Sequence, residues 1–374
     1  MEIHHLSHID LDGYGAQFVA SHFLKNIAFY NANYGKEVSV RLKQILGEIR
    51  HSSEKTFLIL ITDLNLTMSE AKFLQSEVDL LNAQGKKITI LLLDHHITGK
   101  DCAANYAWYH LDSSICASKI TLNYLLENLA SISEESSQNT AFLSDSKQVE
   151  SLTKFIDMID SADTWKEDGF AFEFGKVALG MIAGSKEFSR FMFESYDTQF
   201  KFAMLQKAKE YLLDDNNNLR ENAAVELDNN LFLFKKDILG GDKATQTMEQ
   251  ILSHKQAQLL GENKHSYTIY LKDKKGILTY GIGGISVLAN LFLQQNSDLD
   301  FFMDVGMRGT VSLRANGNCD VSELSKELFN GGGHKNAAGG RVDGFKETFL
   351  YSEAKSQIEQ ILQGDDDDDD KWGL

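Results

Sequence analysis

The chain has 374 residues, a formal net charge of −17 at pH 7, 43% hydrophobic residues and 24% charged residues. This length exceeds what one hydrophobic core usually organises and favours two domains, while the acidic balance argues against a protein that binds long nucleic acid without regard to sequence. No apolar run approaches the roughly 18 residues that a membrane-spanning helix needs, so we expect no contact with a membrane.

The first half of the chain alternates short apolar runs with helical patterns. These patterns predict helices at 14–30, 68–84 and 116–130, and strands at 57–63 and 88–94. Alternation of this kind is typical of βαβ units, so we predict an α/β domain with a mostly parallel sheet.

The second half begins with a change of character. After a first domain at 1–186, residues 187–262 read as a mainly helical connector, and residues 263–363 as a smaller α/β domain. The predicted elements of that smaller domain are strands at 265–273, 276–281, 300–307 and 310–315, and helices at 285–295 and 321–329. The tail at 364–374 holds six Asp and one Lys, which contribute −5 of the −17 and leave −12. We predict that this acidic tail is disordered; because it contains DDDDK, a protease-site remnant is the alternative.

The cellular location is suggested by two absences in the sequence. The N-terminal residues MEIHHLSHID have neither the basic start nor the apolar core of a signal peptide. The three cysteines, Cys102, Cys116 and Cys319, are far apart and lack the spacing of a metal site. We therefore expect a cytoplasmic protein.

Three polar residues alternate with aliphatic residues near the N-terminus. His8, Asp10 and Asp12 are separated by Ile9 and Leu11, so on a strand all three polar side chains would share one face. Two carboxylates and an imidazole on one face repel and desolvate each other unless a cation lies among them. The alternative is an exposed strand end, where the acids meet water.

The same residue types recur at the ends of later apolar segments. These residues are Asp63, Asp94, His95, His96, Asp157, Asp160 and Asp163. Ligands of open α/β sheets bind beyond the carboxyl ends of the strands, so these side chains can converge on one crevice. An oxygen-rich site with some imidazole suits manganese, magnesium or iron, and manganese is our first choice.

Each of these acids has an alternative role. Asp63 could cap the following helix, and Asp157 and Asp160 could lie on the solvated face of a helix. Asp163 is the better site candidate because it ends its segment, just before Thr164.

The motifs of the sequence resemble those of the DHH phosphoesterases. The similar segments are HIDLDG (8–13), ITDLN (61–65), LLDHH (92–96) and IDSADTW (159–165), which resemble motifs one to four of that family in order. The segments GTVSLRA (309–315) and FNGGGHKNAAGG (329–340) resemble its small C-terminal substrate-binding domain. The resemblance covers nearly the whole chain. One spacing departs from it, since only Ile9 separates His8 from Asp10 where many relatives have three residues.

The resemblance implies a centre of two Mn²⁺ ions, with Mg²⁺ or another divalent ion as the alternative, in a cleft between the two domains. The implied metal ligands are His8, Asp10, Asp12, Asp63, His95 and Asp163, with Asp63 bridging. Asp94 is then an orienting partner, and His96 contacts the reacting phosphate.

The glycine-rich segment of the second domain is a candidate for binding the substrate. Gly331, Gly332 and Gly333 allow backbone N–H groups to approach a phosphate, and His334 and Arg314 add charged donors. The alternatives are a flexible turn for the glycines and a solvated strand residue for Arg314.

We predict a hydrolase that acts as an exonuclease on short single-stranded oligonucleotides (nanoRNA and short DNA) and releases 5′-mononucleotides, acting as a monomer or a homodimer. Alternative substrates are cyclic dinucleotides, linear dinucleotides or adenosine 3′,5′-bisphosphate. A nucleotide-sensing protein without catalysis is the alternative of a different class.

Overall fold

The computed structural model describes residues 1–132, 137–167 and 170–366. They form two compact units: the first comprises 1–185 and 198–234, and the second 186–197 and the described residues from 235 onward. Each unit contains one β-sheet and several helices, which agrees with the predicted α/β class. The helical segment 187–262 is divided between the two units.

The first unit is built on a parallel sheet of five strands in the order β2-β1-β3-β4-β5. The elements in chain order are β1 (Glu2–Ser7), α1 (Leu11–Phe23), β2 (Ile27–Asn31), α2 (Lys36–His51), β3 (Thr56–Thr62), α3 (Met68–Ala83), β4 (Lys87–Asp94), α4 (Lys100–Asn105), β5 (Tyr109–Leu111), α5 (Ala117–Ile132), α6 (Thr140–Leu143), α7 (Ser146–Asp163), α8 (Phe170–Ala183), α9 (Glu194–Leu212) and α10 (Ala223–Ile238).

The central strands are apolar on both faces because helices cover both. In β3, Phe57, Ile59 and Ile61 join the core formed with α2 and α3, while Leu58 and Leu60 are buried on the opposite face. Continuous apolar runs of this kind are typical of parallel strands buried on both sides.

The predicted helix at 14–30 is wrong in its last part. Helix α1 ends at Phe23, and Ile27–Asn31 forms the edge strand β2, paired with β1. The chain reverses through Asn26, whose φ of 59° is left-handed, a conformation that asparagine tolerates better than most residues.

The predicted strand through His8, Asp10 and Asp12 is also wrong. Strand β1 ends at Ser7, and Asp10 is the N-cap of α1, where its carboxylate accepts the Gly13 N–H at 3.1 Å. A Cβ at Gly13 would lie 2.3 Å from the His8 carbonyl oxygen, so this strand-to-helix turn requires glycine.

The second unit has a mixed sheet of six strands in the order β10-β11-β9-β8-β7-β6. Its further elements are α11 (Met248–Glu262), α12 (Lys264–Tyr267), β6 (Thr268–Leu271), β7 (Lys274–Tyr280), α13 (Ser286–Gln295), β8 (Phe301–Val305), β9 (Thr310–Ala315), α14 (Val321–Phe329), β10 (Gly332–His334), β11 (Ala337–Arg341) and α15 (Tyr351–Asp366). Strands β7 and β8 are parallel, and the other pairs are antiparallel.

Helix α15 enters the segment predicted to be a disordered tail. Its backbone is helical through Asp366, because Ala354 and Ile358 anchor the helix in the core and each further residue adds a backbone hydrogen bond at little cost. The rest of the predicted tail, 367–374, lies outside the described residues. None of the helices in the described part of the chain is long and apolar enough to cross a membrane.

Candidate metal centre

Most of the predicted ligands lie at the carboxyl ends of three neighbouring strands. Strands β1, β3 and β4 are adjacent and parallel, so their carboxyl ends meet at one edge of the sheet. The last residue of helix α7 joins them there. The residues brought together are His8, Asp10 and Asp12 after β1, Asp63 after β3, Asp94, His95 and His96 at the end of β4, and Asp163 from α7.

Potential ligand atoms form three overlapping groups, each with its atoms within 4.8 Å of one another. The groups are His8, Asp10 and Asp63; Asp63, His95 and His96; and Asp12, His95 and Asp163. His95 connects two of them, since its Nε2 lies 3.3 Å from Asp63 Oδ1 and 3.7 Å from Asp12 Oδ2, and its Nδ1 lies 3.9 Å from Asp163 Oδ2. Asp63 also belongs to two groups, as a bridging ligand would.

Asp63 is the most constrained of these residues. It is 1% exposed and has a φ of 55°, a left-handed conformation that aspartate, like asparagine, tolerates better than most non-glycine residues. Its Oδ2 is buried without a hydrogen-bond partner in the described part of the chain. The alternative role as a helix cap does not apply, because Thr67 caps α3.

The carboxyl groups of the cluster lie close together, and their charges shift the pKa of Asp63 and Asp163. Burial, followed by the charges of Asp12 and Asp10, raises the pKa of Asp63 well above its usual range. Burial and the same two charges raise the pKa of Asp163 to about 8. Asp10 is the exception: burial opposes its ionisation, but the His8 imidazole at 2.8 Å brings its pKa down to about 2. A cation among these groups would relieve their mutual repulsion, so the residues fit a metal site.

Asp12 is held by the start of helix α5. Its Oδ2 accepts the Ala117 N–H at 2.6 Å, and its Oδ1 accepts the Ser118 N–H at 2.7 Å. These are unpaired donors of the first helical turn, so the helix dipole stabilises the buried carboxylate. Nothing in the local sequence indicates this contact, which joins residues more than 100 positions apart.

His96 is bound on both ring nitrogens. Its Nδ1 lies 2.6 Å from Asp94 Oδ1, and its Nε2 lies 2.8 Å from the Tyr34 hydroxyl. The Tyr109 hydroxyl donates to Asp94 Oδ2 at 2.5 Å. Asp94 thus fixes the direction of the His96 ring.

The last residue of β2 and the loop that follows it support His8, and the sequence reasoning missed both. The Asn31 amide donates to the His8 carbonyl oxygen at 3.0 Å, and Asn33 Oδ1 lies 3.4 Å from His8 Nε2. The centroids of the Tyr34 and His8 rings lie 4.5 Å apart. These residues follow the segment misread as a helix, so the error in that helix also hid the loop.

The two other acids of α7 have separate roles. Asp157 is exposed and pairs with Lys119, as expected for a solvated helix face. Asp160 is buried, accepts the Cys116 N–H at 2.7 Å and pairs with Lys166 at 2.8 Å. Neither belongs to the three groups of ligand atoms.

The predicted substrate residues of the second unit lie on or directly before the edge strand β10 and on the interior strand β9. Gly331 and Gly333 are explained by close packing on β11, because a Cβ there would lie 2.1 Å from the Gly339 oxygen and 2.4 Å from the Ala337 oxygen. The glycine segment therefore enters a strand and is not a flexible turn.

The three remaining predicted substrate residues have different surroundings. Gly332 has no atom within 4 Å of the position that a Cβ would take, and His334 is exposed. Arg314, on β9, donates to the Ser286 hydroxyl at 3.1 Å.

Comparison with known proteins places the chain among its relatives. No protein-family model matches it. It is 49% identical over 362 residues to a Helicobacter pylori protein (strain ATCC 700392 / 26695) named 3′,5′-cyclic-nucleotide phosphodiesterase, and the alignment covers 97% of this chain and 99% of that protein. The crystal structure of an uncharacterized protein from Helicobacter pylori G27 is 48% identical and superimposes with a TM-score of 0.86, covering 97% of this chain and 99% of the other. The chain therefore belongs to the family of the Helicobacter pylori protein named 3′,5′-cyclic-nucleotide phosphodiesterase.

Proposed function

We propose that this protein is a metal-dependent phosphodiesterase that hydrolyses 3′,5′-cyclic nucleotides. The observation that carries the proposal is the cluster around Asp63, a buried carboxylate with an unpartnered oxygen, surrounded by acids and histidines from three strands and a helix. The substrate class is suggested by the relative with 49% identity. The same residues support membership of the DHH phosphoesterases.

The ligand groups indicate which residues would hold two ions. His8 and Asp10 would hold one ion, Asp12, His95 and Asp163 the other, with Asp63 shared. Manganese suits these oxygen and imidazole donors, and magnesium is the alternative. Such ions, when bound, supply an activated water and neutralise charge on the phosphate.

The chain itself would orient the phosphate. Asp94 holds the ring of His96, so that His96 is fixed to contact the reacting group. In the second unit, Arg314 and the exposed His334 would bind a phosphate by charge-assisted hydrogen bonds. The predicted contribution of the Gly331 N–H is wrong, because that group already donates to the Ser325 oxygen at 3.0 Å. Water adds to phosphorus, one P–O ester bond breaks, and the departing ribose oxygen takes up a proton.

Short oligonucleotides are the second candidate substrate. Arg314 on β9 and His334 on β10 both pair in register with Ala337 of β11, so the sheet places two side-chain donors in one row. A row of this kind would suit a substrate with more than one phosphate, such as a short RNA, a dinucleotide or adenosine 3′,5′-bisphosphate.

The test is turnover by metal-depleted protein, with and without added Mn²⁺ or Mg²⁺. The substrates are adenosine 3′,5′-cyclic phosphate, a short RNA, a cyclic dinucleotide and adenosine 3′,5′-bisphosphate. We expect metal-dependent conversion of the cyclic nucleotide to a nucleoside monophosphate, and its loss in Asp63→Asn.

Asp157→Asn is the matched control, because Asp157 is an acid of the same unit outside the ligand groups. Turnover of the short RNA alone would favour the second candidate. Full activity of Asp63→Asn, or activity without any divalent ion, would contradict the proposal.

A further inference from the structure

Trp165 occupies a position that normally belongs to glycine. It is the second residue after the end of helix α7, where Lys166 N–H donates to the Ser161 oxygen at 2.9 Å and Trp165 N–H to the Ala162 oxygen at 3.3 Å. This pair of hydrogen bonds is the Schellman motif, whose left-handed residue is usually glycine or asparagine. Trp165 has a φ of 54°, which is unfavourable for a bulky side chain.

Packing does not account for the tryptophan either. Its side chain is 70% exposed. The ring contact that the structure describes is with Phe172, with the two ring centroids 6.1 Å apart. The indole N–H has no hydrogen-bond partner in the described part of the chain. Trp108 provides the contrast, because its indole N–H donates to Gln75 Oε1 at 2.8 Å. A strained, exposed tryptophan without these compensations points to a role outside folding.

The turn that carries Trp165 is tied to the metal centre. Lys166 holds the turn by donating to Asp160 and to the Ser114 oxygen at 3.2 Å. Asp160 also accepts the N–H of Cys116, directly before helix α5, whose first N–H groups hold Asp12. The direction of the turn is therefore fixed relative to a proposed metal ligand.

We propose that Trp165 is a stacking platform for the nucleobase of the substrate. The inference rests on the proposed function, which places a nucleotide phosphate beside Asp163, two residues before Trp165. An exposed indole face stacks on any base, more strongly on purines, and removal of such a contact typically weakens binding by about 5- to 100-fold. Trp165 thereby favours purine nucleotides without contacting the phosphate.

The test compares Trp165→Gly with the unsubstituted protein on adenosine and uridine 3′,5′-cyclic phosphates. Glycine relieves the left-handed strain, so the melting temperature should stay equal or rise. We expect KM for the adenosine substrate to rise by about 5- to 100-fold with little change in kcat, and the preference for adenosine over uridine to shrink. A gain in stability with a loss of affinity cannot result from partial unfolding.

A second experiment measures nucleotide binding by fluorescence and requires no turnover. In a Trp372→Phe background with metal chelated, adenosine monophosphate should quench the indole fluorescence, and Trp165→Phe should abolish the quenching. Trp108→Phe is the matched control and should retain it.

The outcomes separate the two proposals. Turnover of cyclic nucleotides with unchanged KM values in Trp165→Gly would overturn the stacking role while the proposed function stands. If no nucleotide is hydrolysed, the proposed function fails, and the fluorescence arm still decides whether Trp165 binds a base. Quenching that persists in Trp165→Phe would overturn the inference.

Discussion

Metal binding should release protons, because the metal-free cluster holds them. The pKa of Asp163 is raised to about 8, so we expect its carboxyl group to be mostly protonated at pH 7 in the metal-free protein, about 90% for a pKa of 8. The pKa of Asp63 is raised as well. Metal binding requires deprotonated ligands, so Asp163 should release about 0.9 proton at pH 7, and the raised pKa of Asp63 should add to this release.

The dependence on pH follows from the same value. Above pH 8 the Asp163 carboxyl is already ionised, and its share of the release should fall to about 0.1 proton at pH 9. Below pH 8 the apparent affinity for Mn²⁺ should fall as pH falls, by about tenfold per unit for each proton released.

The assay is titration calorimetry of Mn²⁺ into the metal-depleted protein in two buffers with different ionisation enthalpies. The difference between the two heats gives the number of protons released. Asp163→Asn should release about one proton fewer at pH 7 than Asp157→Asn, the control on the same helix. A release that is zero at pH 7, or equal at pH 7 and pH 9, would refute the assigned protonation of the cluster.

Three further predictions concern stability. Asp63 has a higher pKa in the folded protein than in the unfolded chain, so the metal-free protein should lose stability as pH rises above about 4. In chelator at pH 8, Asp63→Asn should therefore melt at a higher temperature than the unsubstituted protein. Burial lowers the pKa of His5 to about 3, so between pH 6.5 and pH 3 the unfolded chain binds a proton at His5 and the folded protein does not. The free energy of unfolding should therefore fall as pH drops below 6.5, by about 2 kcal/mol at pH 5. His5→Gln should reduce that fall in thermal melts at acid pH. Gly13→Ala should lower both melting temperature and activity, because a Cβ would lie 2.3 Å from the His8 oxygen, whereas Gly47→Ala, with open space inside helix α2, should stabilise by up to about 1 kcal/mol.

Each of these predictions has a result that would contradict it. For Asp63→Asn it is an equal or lower melting temperature in chelator. For His5→Gln it is an acid profile that matches that of His51→Gln, the exposed control. For the glycines it is equal behaviour of the two alanine variants in thermal melts.

Local patterns predicted much of the fold. The predicted helix at 68–84 matches α3 (Met68–Ala83), and the predicted strand at 88–94 matches β4 (Lys87–Asp94). Both are marked in the sequence by hydrophobic periodicity, and α3 also by the capping box of Thr67 and Glu70. The convergence of Asp63 and His95 followed from the rule that parallel strands end at a common edge.

The errors arose where tertiary contacts overrode local propensity. Residues 27–30 read as a continuation of a helix, but pairing with β1 draws them into the sheet as β2. Asp10 and Asp12 alternate as on a strand, yet Asp10 caps one helix and Asp12 the start of another. Both acids still reach the cluster, because the turn after β1 carries them to the same edge of the sheet.

The sequence by itself determined the elements, the order of the motifs and the residue types available for a metal centre, because periodicity, capping and turn chemistry act within a few residues. Only the tertiary structure decided that Tyr34 lies against His96, that α5 holds Asp12, and that Trp165 remains exposed two residues after Asp163. Those contacts join positions far apart in the chain, and they form only when strands, helices and loops have packed together.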